Sequence, residues 1–331
     1  MMKKLLYISS LLFSALAFGQ QIGQHTQYLH NSLMLNPATT GTDNLMNITL
    51  SYRNQWTGMN QAPQTYYLSI HSPINKAGIK GFKPASIRGS QPGFLYGNRS
   101  VKPAIGGYLL ADTYGPFTKI SAYFTDAVQF PITSEIQISA GTAFGVSFLQ
   151  MDESKLSLTN PNDNTYNGFI SQNPSRTYLD LNAGIWLFAP KFYFGYSGMQ
   201  FLQNKIYFGD VPLEGKLNTH HFITGGYRFK LQNDLSIITG ALVKYMYPAP
   251  ISFDINVTVN YNESIWAGIY YRNQESIILM LGYEFNKMMM LSYSYDITTG
   301  HLSSYNSGSH EIVISVKLKT SKNKAPAIKF F

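Results

Sequence analysis

Apolar and polar residues alternate with a period of two along most of the chain. This period is typical of β-strands, because successive side chains of a strand point to opposite faces of the sheet. The clearest case is residues 251–260 (ISFDINVTVN), and the same alternation recurs near residues 46–53, 179–185, 265–272 and 291–297. The sequence therefore predicts many strands with one apolar and one polar face.

The alternation predicts about 14 strands. Their expected spans are 45–57, 63–73, 102–112, 116–130, 134–150, 176–189, 191–200, 218–230, 234–247, 251–260, 264–272, 276–286, 288–297 and 308–318. An even number suits a closed antiparallel barrel in which both chain termini lie on the same side of the membrane. The segments are also near the length of about 9–11 residues that a tilted membrane strand needs. The predicted fold class is an all-β, transmembrane, antiparallel outer-membrane β-barrel.

The polar faces of the predicted strands carry charges, and this favours a membrane barrel over a soluble β-sandwich, the competing fold. A polar lumen accommodates such residues, although a sandwich could place them on its outer faces. Tyrosines near the strand ends fit the aromatic girdles of outer-membrane barrels. The candidate lumen or partner contacts on the strands are Arg53, Gln55, Asp180, Arg228, Arg272, Asp296 and Glu311, with Trp56 near the outer interface.

The first 19 residues have the pattern of a cleaved signal peptide. Lys3 and Lys4 precede an apolar run over 5–18, and small residues at Ala17 and Gly19 fit a cut ahead of Gln20. The alternative is a short buried N-terminal helix. No later run of about 18 apolar residues occurs, so the sequence argues against a bundle of transmembrane helices.

The rest of the chain divides into an N-terminal segment at 20–44, a barrel at 45–319 and a tail at 320–331. Asn36 and Pro37 favour a turn, because proline fixes φ and asparagine hydrogen-bonds its own backbone. We expect the N-terminal segment to form a plug or a periplasmic collar, and the alternative is that it simply begins the first strand. Asn36 and Pro37 are further candidate contacts.

Connection lengths fit alternating outer loops and inner turns. Long connections are expected at 151–175, 201–217 and 298–307, and short ones at 131–133, 189–190, 231–233, 261–263 and near 287. The connection at 74–101 breaks this rule, since it is long and faces the inner side. It contains Lys76, Lys80, Lys83, Arg88 and Arg99. It is either a basic surface for an acidic partner or phospholipid head groups, or a solvated loop.

Composition excludes several kinds of chemistry. There is no cysteine, which removes disulfides, thiolate metal sites and cysteine nucleophiles. His220 and His221 are adjacent, so in a strand they point to opposite faces and cannot chelate one metal together. Neither a Gly-x-Ser-x-Gly motif nor a phosphate-binding P-loop occurs. The net charge of the chain is +8. The sequence predicts no catalytic residue, no cofactor, no metal and no nucleic-acid partner.

Both ends of the chain resemble the PorP/SprF family of the Bacteroidetes. The motifs are QHTQYLHN at 24–31, LNPA at 35–38, YRNQW at 52–56, APQT at 62–65, SIHSP at 69–73, YD at 295–296 and SSYNSGSHE at 303–311. The long basic connection at 74–101 is a departure from the family pattern. The middle of the chain matches only as barrel strands.

The resemblance implies an outer-membrane barrel of the type IX secretion system, linked in some species to gliding motility. Its implied partners are secreted proteins, recognised through their C-terminal sorting domains, other secretion components of the periplasm and outer membrane, and outer-membrane lipid. The resemblance carries no catalytic residue onto this sequence. Two other functions stay open at this point: an uptake channel for small hydrophobic molecules, similar to the fatty-acid transporters, and an outer-membrane hydrolase.

Overall fold

The computed structural model describes residues 23, 25–43, 45–74, 101–156, 175–206, 215–231, 234–286, 288–300 and 302–318. The predicted signal peptide at 1–19, nearly all of the basic connection at 74–101 and the tail at 320–331 lie outside these residues and stay predictions. Within the described ranges, no helix has both the length and the apolar character to cross a membrane.

Fourteen strands form one closed antiparallel barrel, which confirms the predicted fold class. In chain order they are β1 (Met46–Asn54), β2 (Gln64–Pro73), β3 (Lys102–Tyr114), β4 (Phe117–Pro131), β5 (Gln137–Met151), β6 (Ser175–Phe188), β7 (Phe192–Met199), β10 (His220–Lys230), β11 (Leu235–Tyr245), β12 (Ser252–Tyr261), β13 (Ile265–Arg272), β14 (Ser276–Phe285), β15 (Met289–Thr298) and β16 (Ser309–Leu318). Two short strands, β8 (Lys205–Ile206) and β9 (Gly215–Lys216), form a separate hairpin in the connection between β7 and β10.

The barrel closes by pairing its first and last strands. β1 lies antiparallel to β16, with Met46 opposite Leu318 and Asn54 opposite His310. Every other barrel strand pairs with its neighbours along the chain. We call the end that holds the β1–β2, β5–β6 and β15–β16 connections the outer end, and the opposite one the inner end, because long loops of such barrels face outward.

Alternation along each strand separates an apolar outside from a polar inside. On β14, the buried and exposed residues alternate without interruption from Ser276 to Phe285. The exposed positions carry large apolar side chains such as Leu179, Ile269 and Leu281, whereas inward positions include Arg53, Asp180 and Glu311. Lipid favours such an apolar outer face, since it offers no hydrogen bonds to polar groups.

Residues 25–43 lie inside the barrel, and we call them the plug. The plug contains one helical turn, Ser32–Leu35, and one 3-10 turn, Pro37–Thr39. Asn36 begins the 3-10 turn, because its side chain accepts a hydrogen bond from the backbone N–H of Ala38. The plug runs from the outer end, where Thr26 contacts Glu311, to the inner end, where Gly41 contacts His71.

Candidate functional site in the lumen

A cluster of buried charged residues lies inside the outer end of the barrel. We call Arg53, Asp254, Arg272, Asp296 and Glu311 the outer cluster; all five are at most 3% exposed. They come from β1, β12, β13, β15 and β16, which are five of six consecutive strands of the wall, with β14 as the sixth. The alternation of these strands turns each of the five side chains inward, so the cluster is a direct product of the period-two pattern.

Arg53 joins two carboxylates of the outer cluster. Its Nη2 lies 2.8 Å from Asp296 Oδ2, and its Nη1 lies 3.3 Å from Glu311 Oε2. On the other side, Arg272 Nε lies 3.2 Å from Asp254 Oδ2, and Lys244 Nζ lies 3.1 Å from Asp254 Oδ1. Arg53, Arg272 and Lys244 thus pair with the three carboxylates of the outer cluster, and burial of such charges is tolerable only because they are paired.

The outer cluster binds the first residues of the plug. Glu311 Oε2 accepts a hydrogen bond of 2.7 Å from the backbone N–H of Thr26, and Thr26 Oγ1 donates to Asp296 Oδ2 at 2.7 Å. Asn31 Nδ2 donates to Glu311 Oε1 at 3.0 Å, and Arg272 Nη2 donates to the carbonyl oxygen of His25 at 3.3 Å. Charge-assisted bonds of this kind are the stronger class of hydrogen bond.

The inner half of the plug is held by neutral groups instead. Asn36 Nδ2 donates to the carbonyl oxygens of Ile185 at 2.9 Å and Tyr196 at 3.2 Å. Thr40 Oγ1 donates to Thr125 Oγ1 at 3.1 Å. The plug is therefore fixed to the wall at both ends, by charged groups at the outer end and by uncharged ones at the inner end.

Two plug side chains between these anchors stay uncharged at neutral pH. Burial, with the positive charge of Lys317 nearby, lowers the pKa of His30 to about 4. Burial also raises the pKa of Tyr28 well above its usual value, and its hydroxyl accepts a hydrogen bond of 2.8 Å from Asn256 Nδ2. The ionic attachment of the plug is therefore concentrated in the outer cluster.

Small residues of the wall let the plug approach closely. A side chain at Gly141 on β5 would place its Cβ 2.7 Å from the carbonyl oxygen of Pro37 and 2.8 Å from Ala38. A Cβ at Gly184 on β6 would overlap with Asn36 Oδ1. Glycine is the residue that permits this contact between two backbones.

We expect Gly141→Ala to loosen the inner half of the plug. The added methyl group overlaps Pro37 and Ala38, and overpacking of this kind costs about 1–3 kcal/mol. The measurement is the rate at which a maleimide labels a cysteine placed at Thr39, which is buried in the folded barrel. The matched control is Gly225→Ala, where the nearest atom would lie 3.5 Å from the new Cβ. Equal labelling in both variants would contradict the role assigned to this contact.

Eight of the ten predicted contact residues fall into three groups: the outer cluster, the plug and the rest of the wall. Arg53, Arg272, Asp296 and Glu311 meet in the outer cluster, and Asn36 and Pro37 lie in the buried inner half of the plug. Asp180 lies elsewhere on the wall, where it accepts a hydrogen bond of 2.7 Å from Tyr123 OH. Arg228 is half-buried, and its backbone N–H donates to Lys191 near the inner end.

Gln55 and Trp56 lie beyond the end of β1. The predicted strand reached residue 57, but β1 ends at Asn54. Trp56 has a positive φ of 51°, a turn conformation that interrupts the alternation. Both residues therefore belong to the β1–β2 connection, and the expectation that Gln55 faces the lumen stays a prediction.

Sequence reasoning missed several residues that hold the plug. Thr26, Gln27 and Asn31 bind the outer cluster. They lie in a segment without a period of two or 3.6, so no pattern separates their buried side chains from exposed ones. Asp254 sits on a strand with clear alternation, and its inward position was predictable, but its bond to Arg272 depends on the register between β12 and β13.

A closed barrel with an apolar outside, a polar lumen and membrane-length strands is an outer-membrane β-barrel. The model of the family of type IX secretion system membrane proteins PorP/SprF matches residues 17–316, and the chain belongs to this family. The protein is thus an outer-membrane component, and membership implies association with the secretion system. The family is generally non-enzymatic.

Solved structures with a similar barrel have little sequence in common with this chain. The toluene transporter TbuX of Ralstonia pickettii has a TM-score of 0.48 and 10% identity, covering 87% of this chain and 93% of its own. The monoaromatic hydrocarbon channel CymD has a TM-score of 0.47 and 11% identity, covering 91% of this chain and 94% of its own. A Pseudomonas aeruginosa FadL homologue has a TM-score of 0.44 and 10% identity, covering 85% of this chain and 91% of its own. No curated protein sequence matches the chain.

Proposed function

We propose that this barrel is a docking component of type IX secretion, which assists the export and surface attachment of specific secreted proteins. It performs this role by binding and not by catalysis. The secreted proteins engage it through their C-terminal sorting domains, and secretion components of the periplasm engage its inner end. The link to gliding motility stays a prediction for cells that glide.

The observation that carries this proposal is the plug. Its residues 25–29 and 35–42 are nearly all buried within the barrel, and both ends are bound to the wall. A lumen occupied in this way presents a platform to a partner protein and leaves no wide path for a folded one. The barrel therefore suits docking at its ends better than passage of the cargo through its centre.

Deletion of the gene, with restoration in a control strain, tests the proposal. We expect one or a few secreted proteins to disappear from the cell surface and medium and to accumulate in the periplasm, while other exported proteins keep their levels. Quantitative proteomics of the three fractions is the measurement. An unchanged set of exported proteins would refute the docking role and favour uptake of small hydrophobic molecules, the alternative from the sequence.

A further inference from the structure

A cleft lies beside the plug at the outer end of the barrel, between the plug and the wall formed by β7, β10, β11 and β12. Its volume is about 80 Å³. One water needs only about 10–15 Å³, so the cleft has room for a ligand of several heavy atoms. Its apolar lining includes Met34 and Leu35 from the plug and Met199, Phe222, Leu242 and Met246 from the wall side.

The strand register brings the wall residues of the cleft together. Met199 on β7 is the direct partner of His220 on β10, so their side chains lie on the same face. His221 pairs with Tyr245, which places Met246, the next residue, at the level of His220. Methionines adapt to irregular shapes and make favourable sulfur contacts with aromatic rings.

His220 lines this apolar cleft, and its ring carries one hydrogen-bond acceptor without a partner. Its Nδ1 lies 2.9 Å from the carbonyl oxygen of Asn218, and since a carbonyl can only accept, Nδ1 carries the proton. The neutral ring then has its lone pair on Nε2. That nitrogen has no hydrogen-bond partner in the described structure, and it is covered, so a ligand reaches it only when the His220 ring turns towards the cleft. An unsatisfied buried acceptor is costly, and a ligand that donates a hydrogen bond would remove the cost.

The charges around the cleft favour an uncharged ligand. Among the described residues that line it, Lys244 alone carries a fixed charge. Its ammonium group lies 3.1 Å from Asp254 Oδ1, and Asp254 also binds Arg272. An incoming anion would meet Asp254 together with Lys244 and would lose its hydration, which is expensive in a buried site.

We propose that this cleft binds a small, uncharged, mainly apolar molecule with one hydroxyl group, which donates its hydrogen bond to His220 Nε2. The apolar body of the molecule lies among Met199, Phe222 and Met246. The inference does not depend on the docking role, since binding of a small molecule in the cleft is measured on the barrel alone, without a secreted protein.

Phenol, benzene and benzoate are the probes, applied to the full-length barrel folded in detergent. Ligand-observed NMR measures binding, and the variant Met246→Trp, which fills the cleft, serves as the blank that corrects for partition into detergent. We expect phenol to bind the wild type above this blank, more tightly than benzene and benzoate. Heat-modifiable mobility on gels verifies that each variant is folded, and Leu242→Phe is a second filling variant.

His220→Phe tests the hydrogen bond. We expect this variant to bind phenol about three- to ten-fold more weakly, as suits one net hydrogen bond, and benzene with unchanged affinity. The matched control is His221→Phe, because residue 221 points to the opposite face of β10 and leaves the cleft intact. The proposal is overturned if neither phenol nor benzene binds above the blank, if benzoate binds best, or if His220→Phe leaves phenol binding unchanged.

Discussion

Replacing Glu311 with alanine is expected to detach the outer half of the plug and open the lumen to ions. Glu311 is fully buried, and it accepts hydrogen bonds from the backbone of Thr26 and the side chain of Asn31 while it pairs with Arg53. Its removal leaves the backbone N–H of Thr26 without this acceptor, and Arg53 keeps only Asp296 as a carboxylate partner. Breaking a buried ion pair costs about 3–5 kcal/mol. The population of barrels with a released plug should therefore rise by a factor of about 10² to 4 × 10³.

Single-channel conductance in planar bilayers measures this release. The wild type should conduct in rare, brief events, and Glu311→Ala should conduct most of the time. Glu275→Ala is the matched control, since this carboxylate pairs with Arg272 but its side chain is 23% exposed and has no hydrogen bond or ion pair to the described residues of the plug. Glu311→Gln, which keeps the shape and loses the charge, should fall between the two. Equal conductance in Glu311→Ala and the wild type would show that the outer cluster does not hold the plug.

A disulfide between positions 40 and 125 is expected to keep the inner half of the plug in place even when Glu311 is replaced. The two threonine hydroxyl oxygens lie 3.1 Å apart, one on the plug and one on β4. The chain has no cysteine of its own, so Thr40→Cys with Thr125→Cys gives a defined pair. Added to Glu311→Ala, the oxidised pair should lower the conductance towards that of the wild type, and a reductant should restore the open level.

The same disulfide separates docking from passage through the lumen. If cargo binds at the ends of the barrel, as we propose, oxidised Thr40→Cys/Thr125→Cys should export its cargo at the wild-type level. The matched control links two strands of the wall, Thr49→Cys with Ser315→Cys, whose hydroxyl oxygens are also 3.1 Å apart. Loss of export in the plug-linked protein but not in the control, reversed by reductant, would mean that the plug must move during secretion.

The strands were predictable because their environment imposes a simple rule. Successive residues of a strand face the lipid and the polar lumen in turn, so apolar and polar side chains alternate along the strand. The strands β12 and β14 show this alternation with few interruptions. Strand ends were less predictable, since a turn conformation ends the pattern without a change in composition. Trp56, with its positive φ, is such a case.

The candidate site was predictable only in part. The alternation along β1 and β16 is enough to predict that Arg53 and Glu311 point inward. Their pairing, however, depends on closure of the barrel between these two strands. The plug residues that they bind form no regular element beyond two short turns. No periodic pattern in the sequence therefore indicates that Thr26 and Gln27 are buried. Long-range contacts of irregular segments depend on the whole wall being in place, and a local pattern does not encode them.

The bond between Thr26 and Glu311 has a consequence for the biogenesis of the barrel. The two residues are 285 positions apart, and Glu311 belongs to the final strand, so the plug gains its outer anchor only when the C-terminal end of the chain arrives. Contacts of such high sequence separation form slowly, because the entropy of closing a long loop must be met first. The N-terminal segment must already lie among the strands when β1 pairs with β16, because this pairing closes the barrel around it. Membrane insertion, seam closure and ordering of the plug would then be one late, coupled step of assembly.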